Sequence, residues 1–425
     1  MEKRLGISLF SSSGIGDLGL HANGIDVVIG NELLPDRAEL FSSNYPEAKM
    51  FQGDIWKLKD DIVNYYKSTF STAPFIVLAT PPCQGMSSNG MGKILSDIRN
   101  GIRPVFDERN RLIIPTIEII KKLQPEWVVF ENVPNMGNTV ILDDDGNPIN
   151  IIEYIFKELE GYVGVPTVMN TADYGIPQVR KRLITILTRT ESGKEYFRKN
   201  GCFTPEVTHS EKGNSKTKKW VTLKAAIGHL PPLNAIEGEN SRPDISPLYR
   251  VAILDPKKYE WIKYTPEGET AFNNQCVNPN CMFQGNKRHG TAHNEEGINK
   301  FNTDTPLYCE KCGALLPRPW AVDKKTGEKR IMKGFVSAYK RMSWDSPAST
   351  LTMNFPYVSS DNKVHPSQNR PLSIYEATIL QTIDLYPYKW EVNKKVVSDN
   401  LIIESIGESV PPRLIEIVVN KIKSI

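Results

Sequence analysis

The strongest constraint on the fold is a short apolar run cut off by two prolines. Phe75-Ile76-Val77-Leu78 has the unbroken hydrophobicity of a parallel strand buried on both faces. Pro81 and Pro82 then stop the strand and hold the backbone extended. The stretch reads Ala79-Thr80-Pro81-Pro82-Cys83-Gln84-Gly85-Met86-Ser87-Ser88. Cys83 therefore falls just beyond the carboxyl end of a strand, where open α/β sheets place their ligands. A thiol at that point suits covalent catalysis. A solitary Pro-Cys is more commonly an inert loop cysteine, so the remaining strand ends decide between the two readings.

Those ends are rich in chemistry. The strand Leu5–Phe10 runs into Ser11-Ser12-Ser13-Gly14-Ile15-Gly16-Asp17-Leu18-Gly19-Leu20, a turn that lets a cofactor approach the backbone before a helix begins. Val27-Val28-Ile29-Gly30 ends in Asn31-Glu32, and an acid there can accept hydrogen bonds from ribose hydroxyls. Gly53-Asp54-Ile55 adds a carboxylate and an apolar side chain suited to an adenine ring, so an adenosine-type cofactor is expected. Trp127-Val128-Val129-Phe130 is a further strand and Glu131-Asn132-Val133 follows it, giving Glu131 the same rank as Cys83. Arg180 and Arg182 precede the strand Leu183–Leu187. If extended they share one side, where two guanidinium groups can clamp a phosphate or a base carbonyl.

Helices are expected over Arg109–Lys122, Ile151–Leu159, Ile374–Ile383 and Arg413–Ile422, with Ser373 and Glu376 forming a capping box for the third. Asp143-Asp144-Asp145-Gly146 reads as a turn. The glycine-spaced stretch Gly85–Gly101 is either a surface loop or a lid over substrate.

From about residue 190 the long apolar strands give way to Lys/Ser/Thr/Gly-rich sequence, which suggests a second, smaller domain. Net charge is only +3, but residues 318–341 hold eight Lys/Arg against two acids, and Glu211 is the one acid among Lys212, Lys216, Lys218, Lys219 and Lys224. Such patches suit a polyanion, or a solvated face. Four of the six cysteines form two pairs, Cys276/Cys281 and Cys309/Cys312, a set able to bind zinc tetrahedrally and closed to substrate. His289 and His293 lie between the pairs as alternative ligands. No apolar run approaches membrane-spanning length and Met1-Glu2-Lys3-Arg4 leads directly into a strand, so a cytoplasmic or nucleoid-associated location without membrane attachment is expected.

Taken in order, these motifs resemble the DNA (cytosine-5) methyltransferases over nearly the whole chain. Phe10 with Gly14 and Gly19 is similar to that family's cofactor loop. Pro82-Cys83-Gln84 with Ser87 resembles its nucleophile loop, followed by Asp107-Glu108-Arg109 and Leu112. Glu131-Asn132-Val133, Gln178 to Arg182, Arg341–Thr352, His365–Gln381 and Gly407 with Val410-Pro411-Pro412 complete the set. The resemblance implies an α/β fold with a Rossmann-like, mostly parallel sheet over residues 1–189. It also implies a mixed target-recognition domain over 190–340, with the cysteine insertion near 276–312, and a segment 341–425 that returns to the catalytic domain. It implies S-adenosyl-L-methionine as methyl donor, bound by Phe10, Gly14, Ile15, Leu18, Glu32, Asp54, Ile55, Pro81 and Ser409. Cys83 would add to C6 of a flipped cytosine, Glu131 would stabilise the ring, and Arg182 and Arg180 would hold the base. Gln84 and Ser87 would contact substrate. Cys276, Cys281, Cys309 and Cys312 would hold structural Zn2+. The expected partner is double-stranded DNA, acted on by a monomer, with a cognate restriction endonuclease recognising the same site.

Several positions depart from the family pattern. Ser12 and Ile15 stand in the cofactor turn where glycine is usual, Ala79 and Thr80 replace glycines before Pro81, and Met86 replaces an aromatic residue. Glu408 stands where the usual residue is asparagine. A transfer-RNA substrate, a non-catalytic DNA-binding relative and a zinc hydrolase are the competing readings. The basic segment 190–340 disfavours the first, retention of Cys83, Glu131 and Arg182 the second, and the closed cysteine set the third.

Overall fold

The computed structural model describes residues 4–82, 107–293, 299–301 and 304–425. Cys83, Gln84, Ser87 and the Gly85–Gly101 stretch lie outside the described residues. Packing divides the chain into two compact units. One comprises Met1–Ile176, Arg180–Lys219 and Gln381–Ile425, and the other Pro177–Val179 and Trp220–Leu380.

The first unit is built on a seven-stranded sheet of β1 (Arg4–Leu9), β2 (Ile25–Glu32), β3 (Lys49–Gln52), β4 (Ile76–Ala79), β5 (Trp127–Asn132), β6 (Val163–Asn170) and β7 (Lys181–Thr188). The strand order is β3-β2-β1-β4-β5-β7-β6. The pairs among β1 to β5 are parallel, whereas β7 runs antiparallel to both β5 and β6. The chain leaves β1 in one direction to build β2 and β3, then returns to its other side with β4. The switch in direction therefore opens a crevice between the carboxyl ends of β1 and β4. Helices α1 (Leu18–His21), α2 (Pro35–Asn44), α3 (Ile55–Thr69), α4 (Ile113–Leu123) and α5 (Ile151–Glu158) connect successive strands from β1 to β6, and α6 (Glu191–Asn200) follows β7. Ile7, Val77, Val128, Ile62, Ile117 and Ile155 belong to one buried core beneath α3, α4 and α5, which is why the central strands read as unbroken apolar runs.

The chain ends with α7 (Asp399–Glu408) and α8 (Pro412–Lys423), the latter packed on α1. Contact there is close enough that a Cβ on Gly19 would lie 2.4 Å from the Pro412 carbonyl oxygen and 2.6 Å from the Glu416 nitrogen. Asn23 Nδ2 spans the joint, donating to the Gly19 and Glu416 carbonyls at 3.1 and 3.2 Å. The expected helix over Arg109–Lys122 instead begins as a tight 3-10 turn, Glu108–Leu112, before α4. Asp107 caps that turn by accepting the Arg109 backbone N–H at 3.1 Å.

The second unit has short helices (Leu223–Ile227, Pro256–Lys263 and Ile374–Leu380), small hairpins and long irregular stretches. Trp261, Ile262, Phe272, Tyr339, Val358 and Val364 form one core, and Cys276, Cys309 and Leu316 a smaller one. Irregular backbone must find partners elsewhere, and buried arginines supply them. The Arg341 guanidinium donates to the carbonyls of Thr265, Ile262, His365 and Gln368 and to Asn369 Oδ1, at 2.5–2.8 Å. The capping box forms as expected: Ser373 Oγ accepts from the Glu376 N–H at 3.1 Å, and Glu376 Oε2 accepts from the Ser373 N–H at 2.8 Å. Glu376 also pairs with Arg370, with both side chains fully buried. Burial alone would raise the Glu376 carboxyl, but the Arg370 charge and its hydrogen bonds bring it down to about 2.

These boundaries differ from the change in sequence texture at 190 and the return at 341. Helix α6 packs on β6 in the first unit, and residues 341–380 pack with the second. Texture reports solvent-facing composition, whereas the division follows contacts. No helix among the described residues is long and apolar enough to cross a membrane.

Candidate active site

Strand register aligns the chemistry. Leu9 pairs with Asn31 on one side and Ala79 on the other, and Ala79 pairs with Phe130. The next residue on each strand is therefore Phe10, Glu32, Thr80 or Glu131, and these four stand in one row along the carboxyl edge of the parallel strands.

On the β1–β2 side, Phe10 and Ser12 take left-handed backbone angles (φ 60° and 48°), as does Gly14 (φ 83°), and fold the turn back over β2. Both oxygens of the buried Glu32 carboxylate accept backbone N–H groups at 2.9 Å, Oε2 from Ser12 and Oε1 from Leu34. The acid is thereby aimed and held. The hydroxyls of Ser12 and Ser13 are buried without a hydrogen-bond partner among the described residues, as expected of a site that receives a polar ligand. A Cβ on Gly14 would lie 2.4 Å from the Tyr45 ring, whose hydroxyl donates to the Gly14 carbonyl at 2.7 Å. Ile15 and Leu18 are buried core residues. Asp54 accepts from the Trp56 N–H at 3.0 Å as the N-cap of α3, and Ile55 is buried in the main core. Asp17 is wholly buried; desolvation pushes its carboxyl up to about 7, opposed by a hydrogen bond with Ser8.

On the β4–β5 side, Glu131 and Arg182 meet. Arg182 lies two residues before Ile184, the partner of Glu131 across β5 and β7, so both side chains project from one face as a diagonal pair. Arg182 Nε lies 2.9 Å from Glu131 Oε1, with the two side chains only 13% and 10% exposed. Arg182 Nη1 donates to the Lys181 carbonyl at 2.7 Å, and Nη2 has no partner among the described residues.

Two side chains brace the segment between these halves, and sequence reasoning gave neither that part. Thr80 Oγ1 donates to the Phe10 carbonyl at 3.1 Å, tying β4 to the cofactor turn. Asn132 Nδ2 donates to the Pro81 carbonyl at 2.9 Å from the other side, while its Oδ1 accepts from the Val133 N–H at 2.8 Å. The signal for both was present: a hydroxyl where glycine is usual, and an amide beside an acid at a strand end.

Arg180 has partners of its own, away from Glu131. It is 1% exposed, and its Nη2 donates to the carbonyls of Gly407 (3.3 Å) and Ser409 (2.8 Å). Ser409 is held further by Gln381, whose Nε2 donates to its carbonyl at 2.7 Å. The neighbouring Val410 reaches the cofactor turn, where a Cβ on Gly16 would be 3.0 Å away. Glu408 pairs with Arg37, which also bonds Glu404 at 3.3 Å, so the acid at this position has its own cation within the first unit.

In the second unit the four cysteine sulfurs lie within 4.8 Å of one another. Cys276 and Cys312 are 3.7 Å apart and Cys281 and Cys309 3.9 Å. Four thiolates about 2.3 Å from one ion at tetrahedral angles stand about 3.8 Å apart, so the cage fits a metal. His289 is no ligand: Nδ1 bonds Thr305 Oγ1 at 2.6 Å, Nε2 bonds the Gly334 carbonyl at 2.8 Å, and the ring stacks on Phe272. The side chain of His293 is outside the described residues.

A family model described as C-5 cytosine-specific DNA methylase matches residues 5–424. The chain is 31% identical to the type II methyltransferase M1.HgaI of Avibacterium volantium, over 99% of each chain. It is 32% identical to the type II methyltransferase M1.HphI of Haemophilus parahaemolyticus, over 55% of this chain and 54% of that one. Among solved structures, a mutant form of Spodoptera frugiperda DNMT2 is similar in fold. It has a TM-score of 0.51 and 12% identity, with 99% of each chain covered.

Proposed function

The chain belongs to the C-5 cytosine-specific DNA methylase family, and from that premise we propose that it methylates C5 of a flipped cytosine through a covalent Cys83–C6 adduct, as the modification enzyme of a restriction-modification system. The observation that carries this reading is the buried Glu131–Arg182 pair, one strand from the Pro81 carbonyl that Asn132 holds.

S-adenosyl-L-methionine, the proposed donor, supplies an electrophilic methyl group when bound. Glu32 and the Ser12 and Ser13 hydroxyls would hold its polar groups, with Phe10 and Pro81 beside them; the orphaned hydroxyls and the aimed carboxylate fit such a ligand. Cytosine C5 is too weak a nucleophile to accept a methyl group unaided. Addition of the Cys83 thiolate to C6 pushes electron density to C5, and a proton held between Glu131 and ring N3 stabilises the charge that develops on the ring. Arg182 keeps Glu131 oriented and presents Nη2 to the cytosine O2. After transfer, loss of the C5 proton to a base and expulsion of the Cys83 thiolate restore the aromatic ring as 5-methylcytosine. Arg180 enters as a positioning residue that fixes the Gly407–Ser409 turn.

We assign the cysteine cage to structural Zn2+ in a target-recognition domain. Its four thiolates leave no open coordination position, so it takes no part in the chemistry. Bisulfite sequencing of duplex DNA treated with the enzyme and S-adenosyl-L-methionine tests the proposal. One cytosine within a recurring sequence should resist conversion, and a Cys83→Ala variant should protect none. Protection by that variant at the parent rate would refute the covalent route.

A further inference from the structure

The cysteine cage sits at the foot of a basic hairpin that the chemistry does not use. Strands Trp320–Val322 and Lys329–Ile331 pair antiparallel. Their turn is stiff: Asp323 Oδ1 accepts the N–H groups of Lys325 and Thr326 at 2.9 and 3.3 Å, and the Asp323 N–H donates to the Glu328 carbonyl at 2.8 Å. Lys324, Lys325, Lys329 and Arg330 are all exposed on it. Lys324 and Lys325 have no ion-pair partner among the described residues, while Arg330 pairs with Asp323 at 3.3 Å. Lys329 and Lys257 both place ammonium groups over the Trp320 ring, 4.6 and 4.8 Å from its centre, which extends the positive surface toward the base of the hairpin.

Both feet of the hairpin are pinned to the chain around the cage. Before it, the fully buried Arg318 donates through Nε to the Asn274 carbonyl at 2.7 Å and through Nη1 to those of Lys287 and Pro306 at 3.0 and 2.8 Å. After it, the Gly334 carbonyl accepts from His289 Nε2 at 2.8 Å. A rigid two-stranded ribbon with uncompensated cations is one of the few elements the major groove of duplex DNA admits, and phosphate contacts by lysine and arginine supply most of the affinity.

We propose that the hairpin 320–331 is a DNA-contacting ribbon of this methyltransferase, and that the four-cysteine module serves to fix its direction. The proposal rests on the reading of this unit as the target-recognition domain. Its test is the binding of a duplex that the parent methylates, followed by fluorescence anisotropy across a salt series. The K324Q/K325Q/K329Q/R330Q variant should lose at least about tenfold in affinity near 0.1 M salt. Its plot of log affinity against log salt should be shallower by about two to four. Zinc content and melting temperature should stay at the parent values, and a Lys325→Glu variant should weaken binding with the same signature. A control, Lys67→Gln with Lys157→Gln, removes exposed charge from the last turns of α3 and α5, at the opposite edge of the sheet from the site, and should bind as the parent does. Parent-like affinity and slope in the hairpin variants, or an equal loss in the control, would overturn the proposal. A parent that methylates no duplex would instead refute the proposed function.

Discussion

At the scale of single residues, Arg180 and Arg182 show how two similar side chains, two positions apart, divide their work. Arg182 pairs with Glu131, while Arg180 holds the Gly407 and Ser409 carbonyls in a buried turn beside the cofactor loop. Arg180→Gln should therefore cost about 2–4 kcal/mol of stability and weaken S-adenosyl-L-methionine binding measured by calorimetry. Arg182→Gln should leave donor binding near the parent value and lower the rate of methyl transfer. Asp17 makes a separate prediction. Its folded pKa of about 7 stands above the ordinary 3.8, so the native state keeps a proton that the unfolded chain releases. The stability it contributes is complete below pH 3.8 and is lost as the pH rises through about 7. Asp17→Asn should remove that dependence. The melting temperature of the variant relative to the parent should rise between pH 5.5 and pH 8, by the equivalent of about 2 kcal/mol; a constant difference would contradict the assignment.

At the scale of elements, the site depends on where strands end and how those ends are tied. The apolar runs and the residues after them were legible in sequence because central parallel strands are buried on both faces. Register then brings Phe10, Glu32, Thr80 and Glu131 into one row. The ties were not legible: Thr80 to Phe10 and Asn132 to Pro81 join residues 70 and 51 positions apart. Arg180 escaped for a related reason, since its partners lie more than 220 positions further along. Thr80→Val keeps the shape and removes the donor, so it should lower the transfer rate several-fold with little loss of stability, read by single-turnover kinetics beside thermal melting. The α1–α8 joint is less forgiving. Gly19→Ala would force a methyl group against the backbone of α8 and should cost at least about 2 kcal/mol, measured by denaturant unfolding.

At the scale of the whole molecule, the chemistry and the cysteine cage reside in different compact units. The second unit contains little regular structure, and the sequence disclosed its paired cysteines and its charge but not its limits, which follow from packing. Chelation should release one zinc per chain and lower the melting temperature of this unit, while S-adenosyl-L-methionine binding by the first unit survives. The central claim is that Cys83, aided by Glu131, attacks C6 of a cytosine in duplex DNA. Replacing the target cytosine by 5-fluorocytosine tests it most directly, because fluorine at C5 cannot leave as a proton does and the enzyme cannot be expelled after transfer. Mass spectrometry of the digested complex should find the methylated base attached to the peptide through Cys83. Methylation without an attached peptide, or attachment through another residue, would contradict the account.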